Sequence, residues 1–365
     1  MTICAVVAKS KLIICKGNYR NRCGSLYGMA RTIDADHADL IHDVAFDFYG
    51  RRLATCSSDQ NVKIFDLQPD GDWKCTGNFK THSGSVWKVT WAHPEFGQVI
   101  ATCSYDRTAA IWEECPVLGK WLRKASIVCA QATLKDIKFA PKHLGLQIAT
   151  CSEDCRVRVY EAPDVMNLST WPLQGDIDCK MPLSCLTWHS NATPALIAVG
   201  SDDTSNPTAP KVHLYDYSET SRTWTRLESV CITDPVHDMA FAPNMGRSFD
   251  LIAVASNDVK LIALTRNPNK SPTLETRLIG EFSEHQNAVW RLSWNIFGTV
   301  LASSGNDGYV RLWKANYAQQ WKCIVTVNGS GQQVDTESGF VHAGNSISYS
   351  NAALVKPIQA GSIHF

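Results

Sequence analysis

The stretch HSGSVWKVTWAHPEFGQVIATCSYDRTAAIWEE, residues 82–114, decides the fold. Its apolar residues alternate along Val86, Val89 and Trp91, then Val99, Ala101 and Cys103, then Ala110 and Trp112. Pro94, Gly97 and the pair Asp106-Arg107 separate the runs. Two-residue alternation broken by turn formers predicts three short strands joined by turns.

The opening phrase VWKVTW (86–91) returns five more times, as IHDVAF (41–46), LKDIKF (134–139), LSCLTW (183–188), VHDMAF (236–241) and VWRLSW (289–294). The closing aromatics Phe46, Trp91, Phe139, Trp188, Phe241 and Trp294 stand 45 to 53 residues apart. A unit made only of strands and repeated at that period is a propeller blade. Third strands end near Phe65-Asp66, Trp112-Glu113, Tyr160-Glu161, Tyr215-Asp216, Leu264 and Trp313-Lys314, a degenerate Trp-Asp signature of WD repeats. The expected fold is all-β, a six-bladed WD-repeat β-propeller over 29–327, with an N-terminal extension (1–28) and a disordered C-terminal tail (328–365).

The chain has 365 residues, 35 basic and 35 acidic, so it lacks the basic footprint of a nucleic-acid binder. Charged residues are 19%, as suits strands buried on both faces. The apolar runs Ile3–Ala8 and Leu12–Cys15 are split by Lys9 and Lys11, so they form neither a secretory core nor a membrane span of about 20 residues. Cys56, Cys103 and Cys151 take one position on successive blades, where they do not meet in pairs. They read as buried reduced thiols of a cytosolic or nuclear protein. Cys151 and Cys155 have no second ligand pair beside them, so neither a metal nor a cofactor is expected.

The segment before Met29 reads either as an extension preceding the native start or as one or two extra strands within residues 2–15. The polar loops 203–210 and 266–272 are expected to be exposed.

Ring closure follows from the fourth strands. WKCTGNF (73–79) after blade one matches WKCIVTV (321–327) after blade six, so blade six supplies its own outer strand. Nothing between Met29 and Ile41 reads as a strand. The ring is therefore expected to be open, completed by a partner's inserted blade. That blade would contact Ile33, Ile41, Val44 and Phe46 on blade one and Val289, Leu292 and Leu312 on blade six. If residues 2–15 fill the gap, the chain closes itself and the need for a partner weakens.

Three constellations look catalytic: His37, Thr55, Asp59 and Phe65; His82, Thr102, Asp106 and Trp112; His285, Ser303, Asp307 and Trp313. A nucleophile site occurs once, with an oxyanion hole, whereas these recur per blade at the place of the WD hydrogen-bonded tetrad. Blade three has Thr150 and Asp154 without the His, and blade five has Asp258 alone. They read as structural tetrads, and no enzyme is expected. Trp87, Trp91, Trp290 and Trp294, at strand spacing, read as core and channel rather than as a base-stacking platform.

Three long phrases, residues 82–114, the segment from Phe139-Ala140-Pro141-Lys142-His143 to Glu161–Leu168, and Asp234–Phe249, resemble the WD-repeat nucleoporin Seh-one family, the Sec-thirteen homologues. The similarity covers roughly 29–327. It implies a non-enzymatic scaffold that takes a seventh blade in trans from the α-solenoid nucleoporin of the Y-shaped subcomplex, in pore assembly, mRNA export and protein transport. It also implies a GATOR solenoid subunit as second partner, in amino-acid control of TOR signalling. The implied locations are the nuclear envelope and nuclear pore complex, with the cytoplasm and lysosomal surface for GATOR. The alternatives are a Sec-thirteen-like coat propeller of vesicle budding and a WD-repeat receptor of a ubiquitin ligase. The latter usually carries Trp-Asp-x-Arg at a blade end, where this chain has Trp112-Glu113-Glu114-Cys115.

Overall fold

The computed structural model describes residues 2–8, 11–17, 28–128, 130–266, 274–316, 319–329 and 332–334. Most of the expected loop 266–272 and the tail from 335 onward lie outside the described residues. Strands β1 (Thr2–Ala8), β2 (Lys11–Gly17) and β3 (Gly28–Asp34) form one antiparallel sheet. Blade one follows as a four-stranded meander, β4 (Ile41–Phe46), β5 (Arg52–Ser57), β6 (Asn61–Leu67) and β7 (Trp73–Lys80). The same meander recurs over 86–128, 134–178, 185–230, 238–282 and 289–327, giving blades two to six. The molecule is thus an all-β propeller of six blades, each built on a four-stranded meander.

Burial explains the pattern. Each second strand lies between two neighbouring blades and is apolar on both faces, so all six residues of Val99–Ser104 are buried. Outer strands meet a neighbour on one side only, and β7 alternates half-buried with exposed residues. The first and fourth residues of each inner strand face the preceding blade. Val86 and Val89 pack on Ala54, Cys56 and Ile64 of blade one; Val289 and Leu292 pack on Ala253, Ala255 and Leu261 of blade five.

Two sets of bulges shape the blades, the first in blades one, two, three and six. On the inner strands, the extra residues are His42, Trp87, Lys135 and Trp290, each between register positions. Such a bulge re-aims the next side chain. A second bulge precedes the closing aromatic of the third strand, at Ile64/Phe65, Ile111/Trp112, Val159/Tyr160 and Leu312/Trp313. Each adds local right-handed twist.

Two expectations about the ends need correction. Residues 28–34, not expected as a strand, are β3, paired with β2 from Lys11↔Asp34 to Gly17↔Gly28. The segment lacks apolar alternation; its backbone pairs because β2 presents a free edge, which sequence pattern does not report. Residues 2–8 and 11–17 are the extra strands, paired from Thr2↔Gly17 to Ala8↔Lys11. At the other end, Gln333–Val334 adds a fifth strand to blade six, against Thr326 and Val327, where a disordered tail was expected.

The N-terminal sheet stands at the ring closure. β1 lies against β4 of blade one and against Val300–Gly305, the second strand of blade six. These are the neighbours of an inner strand elsewhere: Val86–Trp91 likewise lies between the first two strands of blade one and the inner strand of blade three. The ring expected to be open therefore holds a three-stranded seventh sheet from its own chain.

Candidate functional site at the ring closure

Two apolar faces look onto the seventh place. On blade one, Ile33, Ala35, Ile41, Leu53 and Phe65 are buried together, with Val44, Phe46 and Trp73 packed against them. On blade six, Ala302, Val310, Val325 and Val327 are buried with Leu312 and Ile324 beside them. The structure thus gathers five of the seven expected contact residues, Ile33, Ile41, Val44, Phe46 and Leu312, at the closure. Val289 and Leu292 are not there, because they pack into blade five. The physical reason is rotational: equivalent inner-strand positions all point to the preceding blade, so what faces the gap on blade one faces away from it on blade six.

The inner rim carries charges that sequence reading did not single out. The third residue of each inner strand, the one re-aimed by the bulge where there is one, is Asp43, Lys88, Asp136, Cys185, Asp238 and Arg291 in blades one to six. Acidic residues hold the odd blades. Each reaches forward: the N–H groups of Val89, Leu186 and Leu292 donate to Asp43, Asp136 and Asp238 at 3.3, 3.0 and 2.9 Å. On the even blades the closing Trp reaches back. Trp91, Trp188 and Trp294 indole N–H groups donate to the carbonyls of Ala45, Lys138 and Ala240 at 3.0, 3.3 and 3.0 Å. Blades one and two, three and four, and five and six are thereby clasped twice each. The alternation of Phe and Trp among the closing aromatics was the signal that could have revealed this pairing.

Arg291 links blade six directly to blade one. Its Nη2 donates to the His42 carbonyl at 3.0 Å, and its Nε lies 3.4 Å from Asp43 Oδ1. Lys88 Nζ lies 3.8 Å from the same carboxylate oxygen. Burial pushes the Asp43 carboxyl up, but the Lys88 and Arg291 cations outweigh it and hold it below its ordinary value. Beside this cluster aromatic side chains from neighbouring inner strands pack in tilted pairs. His42 lies 4.4 Å from Trp87, His237 lies 4.4 Å from Trp290, and the Lys135 ammonium sits 5.4 Å over Trp87. Trp290 is exposed rather than core, whereas Trp91 and Trp294 are packed between blades.

The His-hydroxyl-Asp constellations are hydrogen-bond relays. In blade one His37 Nδ1 meets Asp59 at 2.8 Å and Nε2 meets Thr55 at 2.9 Å. In blade two His82 Nδ1 meets Asp106 at 3.2 Å and Nε2 meets Thr102 at 2.8 Å. In blade six His285 Nδ1 meets Asp307 at 3.0 Å, Nε2 meets Ser303 at 2.7 Å, and the Trp313 indole N–H donates to Ser303 at 2.8 Å. Only blade six joins all four members. Phe65 has no hydrogen to donate, and the Trp112 indole N–H is buried without a partner, so neither belongs to its relay. In blade three Arg158 stands in for the absent His, its guanidinium 2.9 Å from Asp154. Sequence reading missed it because Arg158 sits in the third strand, not in the loop where the His belongs.

The Asp of each relay also fixes the turn that follows it, accepting at Oδ1 from the N–H two residues on: Asn61, Thr108, Arg156 and Tyr309. Burial pushes the Asp59 carboxyl up, yet the bonds from His37 and the Asn61 and Ala38 N–H groups leave it below its ordinary value. Burial lowers His37 and His285 despite their Asp partners. Each relay joins its Ser or Thr to a loop His and its Asp to the following turn, and the arrangement repeats from blade to blade as a structural use of the same three side chains. Burial raises the thiols of Cys56, Cys103, Cys151 and Cys185. Among the described residues no group of three or more His, Cys, Asp or Glu side chains could hold a metal ion, and no helix is long and apolar enough to cross a membrane.

Comparison with known proteins agrees with this architecture. The model of the WD domain, G-beta repeat, matches residues 30–66, 73–113 and 276–314. The chain is 52% identical over 330 residues to nucleoporin SEH1 of Homo sapiens, covering 85% of this chain and 91% of that protein. It is 53% identical over 326 residues to nucleoporin SEH1 of Xenopus tropicalis, covering 84% and 90%. Nucleoporin SEH1 of Danio rerio is 52% identical over 331 residues, covering 85% and 90%. With its six WD-repeat blades and this identity along most of its length, the chain belongs to the nucleoporin SEH1 family.

Proposed function

We propose that the protein is a non-enzymatic scaffold subunit of the nuclear pore, joined at the closure of blades six and one to the α-solenoid nucleoporin of the Y-shaped subcomplex. The solenoid donates strands to the seventh place and acts there in pore assembly, mRNA export and protein transport. A second solenoid partner at the same place brings the protein into GATOR and amino-acid control of TOR signalling, in the cytoplasm and at the lysosomal surface. The observation that carries the reading is the pair of apolar faces, Ile33, Ile41, Leu53 and Phe65 opposite Val310, Leu312, Val325 and Val327, around a place holding three strands where every blade holds four or five. A short, incomplete sheet between two large apolar faces is a place for strand addition.

The relays support a scaffold rather than a hydrolase, since the same bonds recur in blades one, two and six and serve turns in each. The residues Ile33, Ile41, Val44, Phe46 and Leu312 are proposed as partner contacts.

The test is capture of partners from native extract on the tagged full chain, at high salt, against Leu312→Asp. Recovery of solenoid nucleoporins and GATOR subunits by the parent chain, lost with the variant while its Tm stays within a few degrees, supports the reading. Recovery of coat or cullin-ligase subunits instead overturns it.

A further inference from the structure

We propose that the β1–β2 hairpin is a displaceable stand-in blade: it fills the seventh place in the free chain and leaves when a partner supplies its strands, while β3 stays. This rests on the partner-blade reading above and deepens it.

Four observations carry the inference. The hairpin occupies the contested place, with β1 against the inner strand of blade one and the second strand of blade six. The two halves of the sheet are held differently. β3 runs directly into blade one, and at its end Ile33, with Ala35 just beyond, is buried among Ile41, Leu53 and Phe65. The hairpin is joined to β3 through residues 18–27 and not through blade one. The third observation is the edge it would uncover. β2 pairs with β3 along seven residues, so departure of the hairpin frees the whole β3 edge as a template for an incoming strand. Last, the rim need not spring apart, because Arg291 spans blades six and one through the His42 carbonyl and Asp43 without passing through the seventh sheet.

The consequence is competition. A partner must displace an intramolecular segment, whose effective concentration for a short tether is on the order of millimolar, so its apparent affinity falls by the docked fraction of the hairpin. The chain would then resist casual strand addition at its own edge and yield only to a partner that also covers the two apolar faces.

Amide hydrogen exchange on the intact full chain tests this, with the blade-donating solenoid nucleoporin of the Y-shaped subcomplex as probe. The expected result is slow exchange at residues 2–8 and 11–17 in the free chain, loss of that protection on adding the probe, and retained protection at 28–34. A second variant, Ile13→Pro, breaks the centre of β2, where Ile13 pairs with both Val6 and Thr32. It should tighten probe binding about tenfold or more. Fast exchange of the hairpin in the free chain overturns the inference, as does protection that persists in the complex or an unchanged affinity of Ile13→Pro. Absence of probe binding to both the parent chain and the variant instead overturns the partner-blade reading itself, so the two failures are distinguishable.

Discussion

The junction between blades one and two and the closure between blades six and one solve the same problem with different means. The first is clasped by backbone: Val89 N–H to Asp43, Trp91 indole to the Ala45 carbonyl, and outside these the Arg52 guanidinium reaching Glu114 at 2.9 Å. The second is spanned by the Arg291 side chain and packed against a sheet of three strands. Backbone clasps fix one geometry, whereas a long side chain and a shorter sheet permit exchange. A ring with paired clasps at three junctions thereby keeps its blades in register, while its closure is the place proposed for docking.

The largest test of that contrast is Asp43→Ala, because Asp43 serves both junctions. Its loss leaves the Val89 N–H without its acceptor and the Lys88 and Arg291 cations without their shared counter-charge. Removing one partner of a buried ion cluster costs about 3–5 kcal/mol. Asp238→Ala removes the acceptor of the Met239 and Leu292 N–H groups, and with it only a pull on Lys88 and Arg291 that is weaker than that of Asp43. It should cost about 1–3 kcal/mol. Thermal unfolding of the two variants orders them; equal shifts would mean that Arg291 does not tie the closure.

The second test separates the relays. Trp313→Phe deletes the donor to Ser303 and should cost about 1 kcal/mol more than Trp112→Phe, whose indole N–H has no partner to lose. Similar ΔΔG values from urea denaturation would place both tryptophans in the same packing role. Next, Trp91→Phe and Trp294→Phe each remove one back-reaching clasp, at about 1 kcal/mol beyond the loss of ring volume.

The contrast also explains what could be read in advance. Six blades were legible because each repeats the alternation of Val86–Trp91, and Ile41, Val44 and Phe46 could be placed facing the closure because they sit on such a strand. Val289 and Leu292 were misplaced because alternation tells inside from outside but not which neighbouring blade a face meets. β3 was missed because residues 28–34 lack apolar alternation, while their pairing with β2 is a matter of backbone register. The charged rim was visible in the letters as Asp, Lys, Asp, Cys, Asp and Arg, but its meaning depends on bulges, which have no pattern of their own.

The smallest effect is a pH dependence at the closure. Burial lowers His42 below its ordinary value of 6.5, and the nearby Arg291 lowers it further; its Nε2 also lies 2.6 Å from the Ser58 hydroxyl. Asp39 and Asp43 pull the other way without prevailing. Because the folded pKa lies below the unfolded one, the unfolded chain takes up a proton first as pH falls beneath 6.5. The contribution of neutral His42 is therefore complete above that value and is lost on acidification toward the folded pKa. His37, His213, His237 and His285 shift in the same direction, so replacing one histidine lessens the slope without abolishing it. Asp43 does not interfere, since its carboxyl is held below 3.8 and titrates under the window. His42→Gln should thus show a shallower fall of Tm between pH 7 and pH 5 than the parent chain. His237→Gln should flatten it in the same direction, because burial and Arg291 also lower His237 against the pull of Asp202 and Asp238. A steeper slope in His42→Gln would mean that the closure favours the charged imidazole, and that Arg291 does not face it in solution.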